Sequence, residues 1–114
     1  MTVTDADTAI ALRSGSVAVL GTPRVIALCE EATCVALSDH LAISETSVGM
    51  RIQLDHEKPS AVGSRITAEA TLEKVEGRRL TFLVQASDER GTIAAGRITR
   101  VIVNRDRFME KAKM

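Results

Sequence analysis

The sequence predicts an α+β domain in which a curved antiparallel sheet wraps around one long central helix. Three observations carry that expectation. One helical stretch, beginning near residue 23, is apolar almost all the way round. Every later segment alternates apolar and polar residues with a period of two, and these segments are joined by short polar turns instead of further helices.

The helix comes first. In GTPRVIALCEEATC, residues 21–34, Thr22 followed by Pro23 is a start signal. The threonine hydroxyl can accept from an early backbone N–H, and proline in the first turn forfeits no bond, so the helix is expected from Pro23 with Thr22 as its cap. Helical spacing puts Val25, Leu28, Cys29, Ala32 and Ala36 on one broad face, while Arg24 and Glu31 share a narrow polar stripe. Glu30 belongs to neither set. Its angular neighbours are Ile26, Ala27, Cys34 and Leu37, so a carboxylate stands on an apolar side. Ser38, Asp39 and His40 end the helix, and His40 reads as a cap or a partner of the helix dipole.

Then the period changes to two. Val48, Met50, Ile52 and Leu54 alternate with Gly49, Arg51, Gln53 and Asp55, and His56 continues the apolar register. Ile66, Ala68, Ala70 and Leu72 form the apolar face of a second strand. After the EGRR turn at 76–79, Leu80, Phe82, Val84 and Ala86 repeat the pattern up to SDERG. A last strand runs from Thr92 to about Asn104, with Gly96 marking a bulge or bend. The charged tail RDRFMEKAKM is expected to be frayed or loosely helical.

Composition bounds the rest. A chain of 114 residues, 45% of them hydrophobic, fits a single domain over 1–114, with 1–7 and 109–114 loosely ordered. Fifteen basic and 15 acidic side chains give a formal net charge of zero, which excludes a global pull toward nucleic acid or an anionic membrane. No apolar run is long enough to span a bilayer and MTVTDADT lacks the features of a signal peptide, so a cytoplasmic location is expected. Cys29 and Cys34 diverge on the helix and read as reduced packing residues. No metal-ligand cluster, phosphate-cradling glycine loop or G-x-S-x-G elbow occurs, so no metal is expected. One sheet and one helix leave edges uncovered, which favours a homodimer or a higher oligomer.

At this point a resemblance carries further than periodicity. VLGTPRVIALCEEA at the helix, LDHEKPSAVGSRITAEATLEKVEGRRLTFLVQASDERG after it and the closing strand together resemble the hot-dog-fold acyl-CoA thioesterases, within them the fluoroacetyl-CoA thioesterase-like group. The likeness covers roughly residues 17–108. In that group the catalytic set is a threonine immediately before the helix proline, a glutamate eight residues on, and a histidine seven residues before the glycine opening the next strand. Thr22, Glu30 and His56, with Gly63 after the histidine, occupy those places. Gly49, seven residues before His56, matches the glycine whose backbone holds the acyl group, and Arg100 matches an arginine of the last strand. The fluoroacetyl specialist carries an aromatic lid ahead of the helix, whereas the only aromatic residues here are Phe82 and Phe108.

The resemblance implies hydrolysis of a small acyl-CoA thioester to free acid and coenzyme A, with coenzyme A as part of the substrate and no other cofactor. Glu30, packed among apolar neighbours, would attack the carbonyl or activate water, His56 would move a proton, and Thr22 would support them with its hydroxyl. Each residue also has a plainer reading: Glu30 as an edge carboxylate, His56 as a structural core histidine, Thr22 as a cap, Gly49 as relief for a curved strand. Arg78, Arg79, Arg97 and Arg100 could meet coenzyme A phosphates or be merely solvated. The alternatives in function are a non-catalytic acyl-CoA or small-ligand binding dimer, a structural dimer with a vestigial pocket, and a hot-dog dehydratase, whose residue pattern is not found here.

Overall fold

A computed structural model describes residues 1–114. Helix α1 spans Thr22–Leu37 and is followed by strands β1 (Glu45–His56), β2 (Thr67–Glu76), β3 (Arg79–Asp88) and β4 (Gly91–Asn104), then by helix α2 (Arg105–Ala112). The strands form one antiparallel sheet in the order β1-β4-β3-β2, so β1 and β2 are its edges. This is the expected α+β architecture, a sheet laid against one main helix.

Alternation places Leu80, Phe82, Val84 and Ala86 of β3 and Ile98 of β4 against α1, where they meet Val25, Cys29 and Leu37 in the core. Phe82 is 1% exposed and fills the centre. Burying such a ring contributes roughly 2 kcal/mol or more. The turn between β2 and β3 puts Gly77 at φ +63°, the left-handed value that its first position demands and that glycine adopts without strain.

Several expectations need correction. The cap of α1 is Gly21, not Thr22: the threonine lies in the first turn and makes no side-chain cap bond. Its hydroxyl is engaged elsewhere. In β1 a register shift between Gly49 and Arg51 breaks the alternation. Ile52 and His56 pair with the inward positions Ile98 and Ala94, but Ser47 and Gly49 pair with the inward positions Ile102 and Arg100, which turns Val48 away from α1. The apolar period of the sequence therefore misassigns Val48, and Gly49 joins the inner face. Gly96 marks no bulge; a Cβ there would overlap the Gln53 carbonyl oxygen, so the glycine permits close approach of β1.

Residues 1–7 are not loose. Val3 is 1% exposed, its N–H donates to the Ser64 carbonyl at 2.9 Å, and the Met1 ammonium donates to the Ile66 carbonyl at 2.8 Å. Cys29 is buried as expected, but Cys34 is exposed. The helix is buried along only one stripe, Val25, Cys29, Thr33 and Leu37, which leaves Ala27, Cys34 and Ala36 exposed. No helix is long and apolar enough to cross a membrane.

Candidate active site

Two clusters lie on the inner side of the sheet. The first joins the start of α1 to the end of β1. Thr22 Oγ1 lies 2.9 Å from His56 Nδ1, a hydrogen bond whose direction follows the ring's tautomer. His56 reaches this place because it closes β1 in the inward register. Its other nitrogen, Nε2, is buried with no partner. A buried imidazole nitrogen without a partner is costly, and it is also the atom free to take or give a proton. Burial pushes the His56 pKa below the ordinary histidine value, opposed by the Lys58 main chain, which favours the neutral ring. A cavity of about 330 Å³ opens here, walled by Val17, Val19 and Leu20 beside Thr22 and His56.

The second cluster surrounds Glu30. Arg100 Nη1 donates to Glu30 Oε2 at 3.3 Å, while Arg100 Nε donates to Ser47 Oγ at 2.9 Å and Nη2 to the Ser47 carbonyl at 3.0 Å. Arg100 is only 6% exposed, so it is not the solvated surface cation of the plainer reading. Its fork is spread over three acceptors, which fixes the guanidinium and with it the carboxylate. Gly49 completes the cluster: a Cβ at this position would stand 2.6 Å from Glu30 Oε2, so the missing side chain is the space the carboxylate occupies. The Glu30 side chain keeps 34% of its surface exposed. It can therefore meet a ligand.

Thr22 and His56 are thus brought together, as are Glu30, Gly49 and Arg100, but the two clusters do not touch within one chain. Glu30 lies eight residues along the helix from Thr22, about 12 Å along the axis. Ser47 was missed by sequence reasoning. Its inward orientation depends on the bulge, which no residue pattern announces. Arg97 is held by Glu73 at 2.9 Å and Arg78 by Glu45 at 3.1 Å.

One helix against a four-stranded antiparallel sheet is the hot-dog arrangement, and the relatives that share it are thioester hydrolases. The profile described as fluoroacetyl-CoA-specific thioesterase matches residues 3–106. A fluoroacetyl-CoA thioesterase of Streptantibioticus cattleyicolor is 32% identical over 95 residues, covering 83% of this chain and 68% of that protein. The solved fluoroacetyl-CoA thioesterase FlK superposes with a TM-score of 0.94 at 28% identity, over 99% of this chain and 88% of that one. A hot-dog-like protein from Thermanaerovibrio acidaminovorans superposes with a TM-score of 0.90 at 26% identity, over 98% of this chain and 83% of that one. The chain belongs to the fluoroacetyl-CoA-specific thioesterase family, thioester hydrolases that act on acyl-CoA.

Proposed function

We propose that two copies of this chain hydrolyse a small acyl-CoA thioester in pockets shared between them, with Glu30 as nucleophile or base, His56 as proton carrier and Thr22 as supporting hydroxyl. The observation that carries this reading is the placement of the two clusters at opposite ends of the inner face of β1, a twelve-residue strand whose outer edge is unpaired.

Met50 and Ile52 on that strand are 41% and 38% exposed, an apolar edge that invites pairing with a second β1. If two β1 strands pair antiparallel about a two-fold axis at Gln53, Leu54 would face Ile52 of the second copy and Asp55 would face Arg51 of the second copy. The charges complement one another. The bulge absorbs Met50, so His56 next meets Gly49 of the partner subunit, on the same face. Such pairing would bring Glu30 of one copy toward Thr22 and His56 of the other. The exposed Ala27, Cys34 and Ala36 of α1 are also surfaces a second copy can cover.

In such a pocket the thioester carbonyl carbon is attacked by the Glu30 carboxylate or by water that Glu30 deprotonates. When Glu30 itself attacks, the C–S bond breaks to leave an acyl anhydride of Glu30, which is hydrolysed by water that neutral His56 deprotonates, and His56 passes that proton to the coenzyme A thiolate. When Glu30 acts as base, the proton it takes from water reaches the thiolate through His56 as the C–S bond breaks. Attack on carbon, departure of sulfur and one water consumed give acid and thiol in balance. The Thr22 hydroxyl orients the ring through Nδ1, which leaves Nε2 for the reacting side. No cofactor beyond the coenzyme A of the substrate is required, and a cytoplasmic setting is assigned. An FlK variant solved with fluoroacetate and coenzyme A supports this substrate class. Gly49 and Arg100 bind substrate indirectly, by giving Glu30 its place.

The test is release of free thiol from a panel of short, branched and aromatic acyl-CoA thioesters. Wild type should turn over at least one, and Glu30→Gln should lose most of that activity. Full activity in the variant refutes the mechanism. A folded wild-type dimer that binds these thioesters without turnover would instead be the non-catalytic binding dimer.

A further inference from the structure

We infer that the basic groove between α2 and the end of β4 binds the phosphorylated nucleotide of coenzyme A. This rests on the acyl-CoA reading above and extends it to an end of the substrate that no residue yet holds. The groove encloses about 310 Å³ and is walled by Arg78, Val101, Val103, Arg107, Phe108 and Lys111. In a chain of zero formal net charge, three cations around one groove are a local excess.

Two of those cations are unengaged. Arg107 and Lys111 stand four residues apart on α2, hence on one side of the helix, and neither forms an ion pair; the one carboxylate of α2 that does, Glu110, is taken by Lys113 at 3.5 Å. Arg78 faces them from the β2–β3 turn, its Nη1 shared between Glu45 Oε2 at 3.1 Å and the Ile102 carbonyl at 3.4 Å. Its remaining donors are free. Guanidinium forks and an ammonium are what phosphate oxygens bind best. Phe108, 39% exposed although aromatic, offers a ring on which a base can stack, and the two valines give an apolar floor. Phosphate donors with one exposed aromatic ring between them suit an adenine nucleotide better than a simple anion.

The location also fits. Arg100, whose guanidinium holds Glu30, immediately precedes Val101, so the groove lies within four strand residues of it, at most about 13 Å along β4. Val101 and Val103 turn away from α1, so a pantetheine arm running from the Glu30 side to the groove would pass over the sheet end at Glu45 and Asn104, which pair in the last register position.

The decisive protein is the double variant Arg107→Ala/Lys111→Ala in the full chain. Both side chains are exposed, and an unchanged melting temperature confirms folding. Two thioesters of the same acyl group are compared, one on coenzyme A and one on pantetheine, which lacks the nucleotide. The ratio of KM for the coenzyme A ester to KM for the pantetheine ester should rise about tenfold in the variant, the loss expected from one or two charge-assisted phosphate bonds. Calorimetry with coenzyme A and with dephospho-coenzyme A reads affinity without turnover. Weaker coenzyme A binding in the variant supports the groove even if no thioester is hydrolysed, an outcome that would sink only the catalytic reading. An unchanged KM ratio and unchanged coenzyme A affinity overturn the groove and leave thioester hydrolysis standing, as does failure of wild type to bind coenzyme A more tightly than pantetheine.

Discussion

Arg100 Nη1 and Glu30 Oε2 lie 3.3 Å apart, joining the last strand to the middle of α1 across 70 positions of sequence. Arg100 is buried, and Ser47 takes its other donors. Replacing Arg100 with Met leaves the carboxylate beside a bulky apolar chain and strips Ser47 of its partner. The cost should be about 2 kcal/mol in urea unfolding, below the range for a fully buried pair because Glu30 is partly solvated. Wild-type stability in Arg100→Met would show the pair to be incidental.

Two glycines on paired strands should respond oppositely to alanine. At Gly49 the added methyl meets the far end of the Glu30 side chain, so the fold survives while the carboxylate is displaced from Arg100. The kcat should drop at least tenfold, with a stability loss no larger than that of losing the pair, about 2 kcal/mol. At Gly96 the methyl meets the Gln53 main chain, which cannot step aside without breaking the β1–β4 pairing. Gly96→Ala should therefore unfold the chain or leave it insoluble. Equal melting losses in both variants would contradict this assignment.

Mixing two inactive variants tests whether the pocket is shared. If Glu30 and His56 act across the interface, a heterodimer of Glu30→Gln with His56→Ala contains one doubly altered site and one intact site. Co-refolding the two should restore about a quarter of wild-type turnover, since half the dimers are mixed and each has one good site. No recovery places both groups in the same site of one chain.

The pH dependence of stability follows from His56. Its pKa is depressed in the fold by burial, so just below the ordinary value, about 6.5, the unfolded chain binds a proton that the folded chain does not. The associated stability is complete above about pH 6.5 and is lost as pH falls toward the folded-state value. Urea midpoints should decline as pH falls below about 6.5 in wild type and decline less in His56→Gln. Parallel curves for the two proteins would remove His56 as the cause.

Thr22 holds the histidine ring without capping the helix. Thr22→Val, nearly the same in volume, should cost little stability because no cap bond is lost, yet lower kcat by leaving Nδ1 unpartnered. Thr22→Ser should restore most of it. A stability loss as large as about 1 kcal/mol would return the residue to the capping role.

Much of the fold could be read from local pattern. Alternation in residues 80–86 gives an inward face directly, because one side of that strand is core and the other is wet. The helix was legible from Pro23 and its apolar composition. Where local pattern failed, a tertiary contact outweighed it: the bulge beside Met50 reversed Val48 and brought Gly49 inward, and Thr22, a natural cap by type, gave its hydroxyl to a ring 34 residues away. The site was half legible. Thr22, Glu30 and His56 stood out only through spacing shared with a family, since each alone has an ordinary structural use.

By itself, then, the sequence determined the α+β class and the strand faces away from the bulge, because hydrophobic period is a local property. The tertiary structure alone decided that Arg100 is buried against Glu30, that Ser47 anchors it, and that Thr22 and His56 form a separate cluster. These depend on strand register and helix rise. Both quantities are set by the packing of segments distant in the chain.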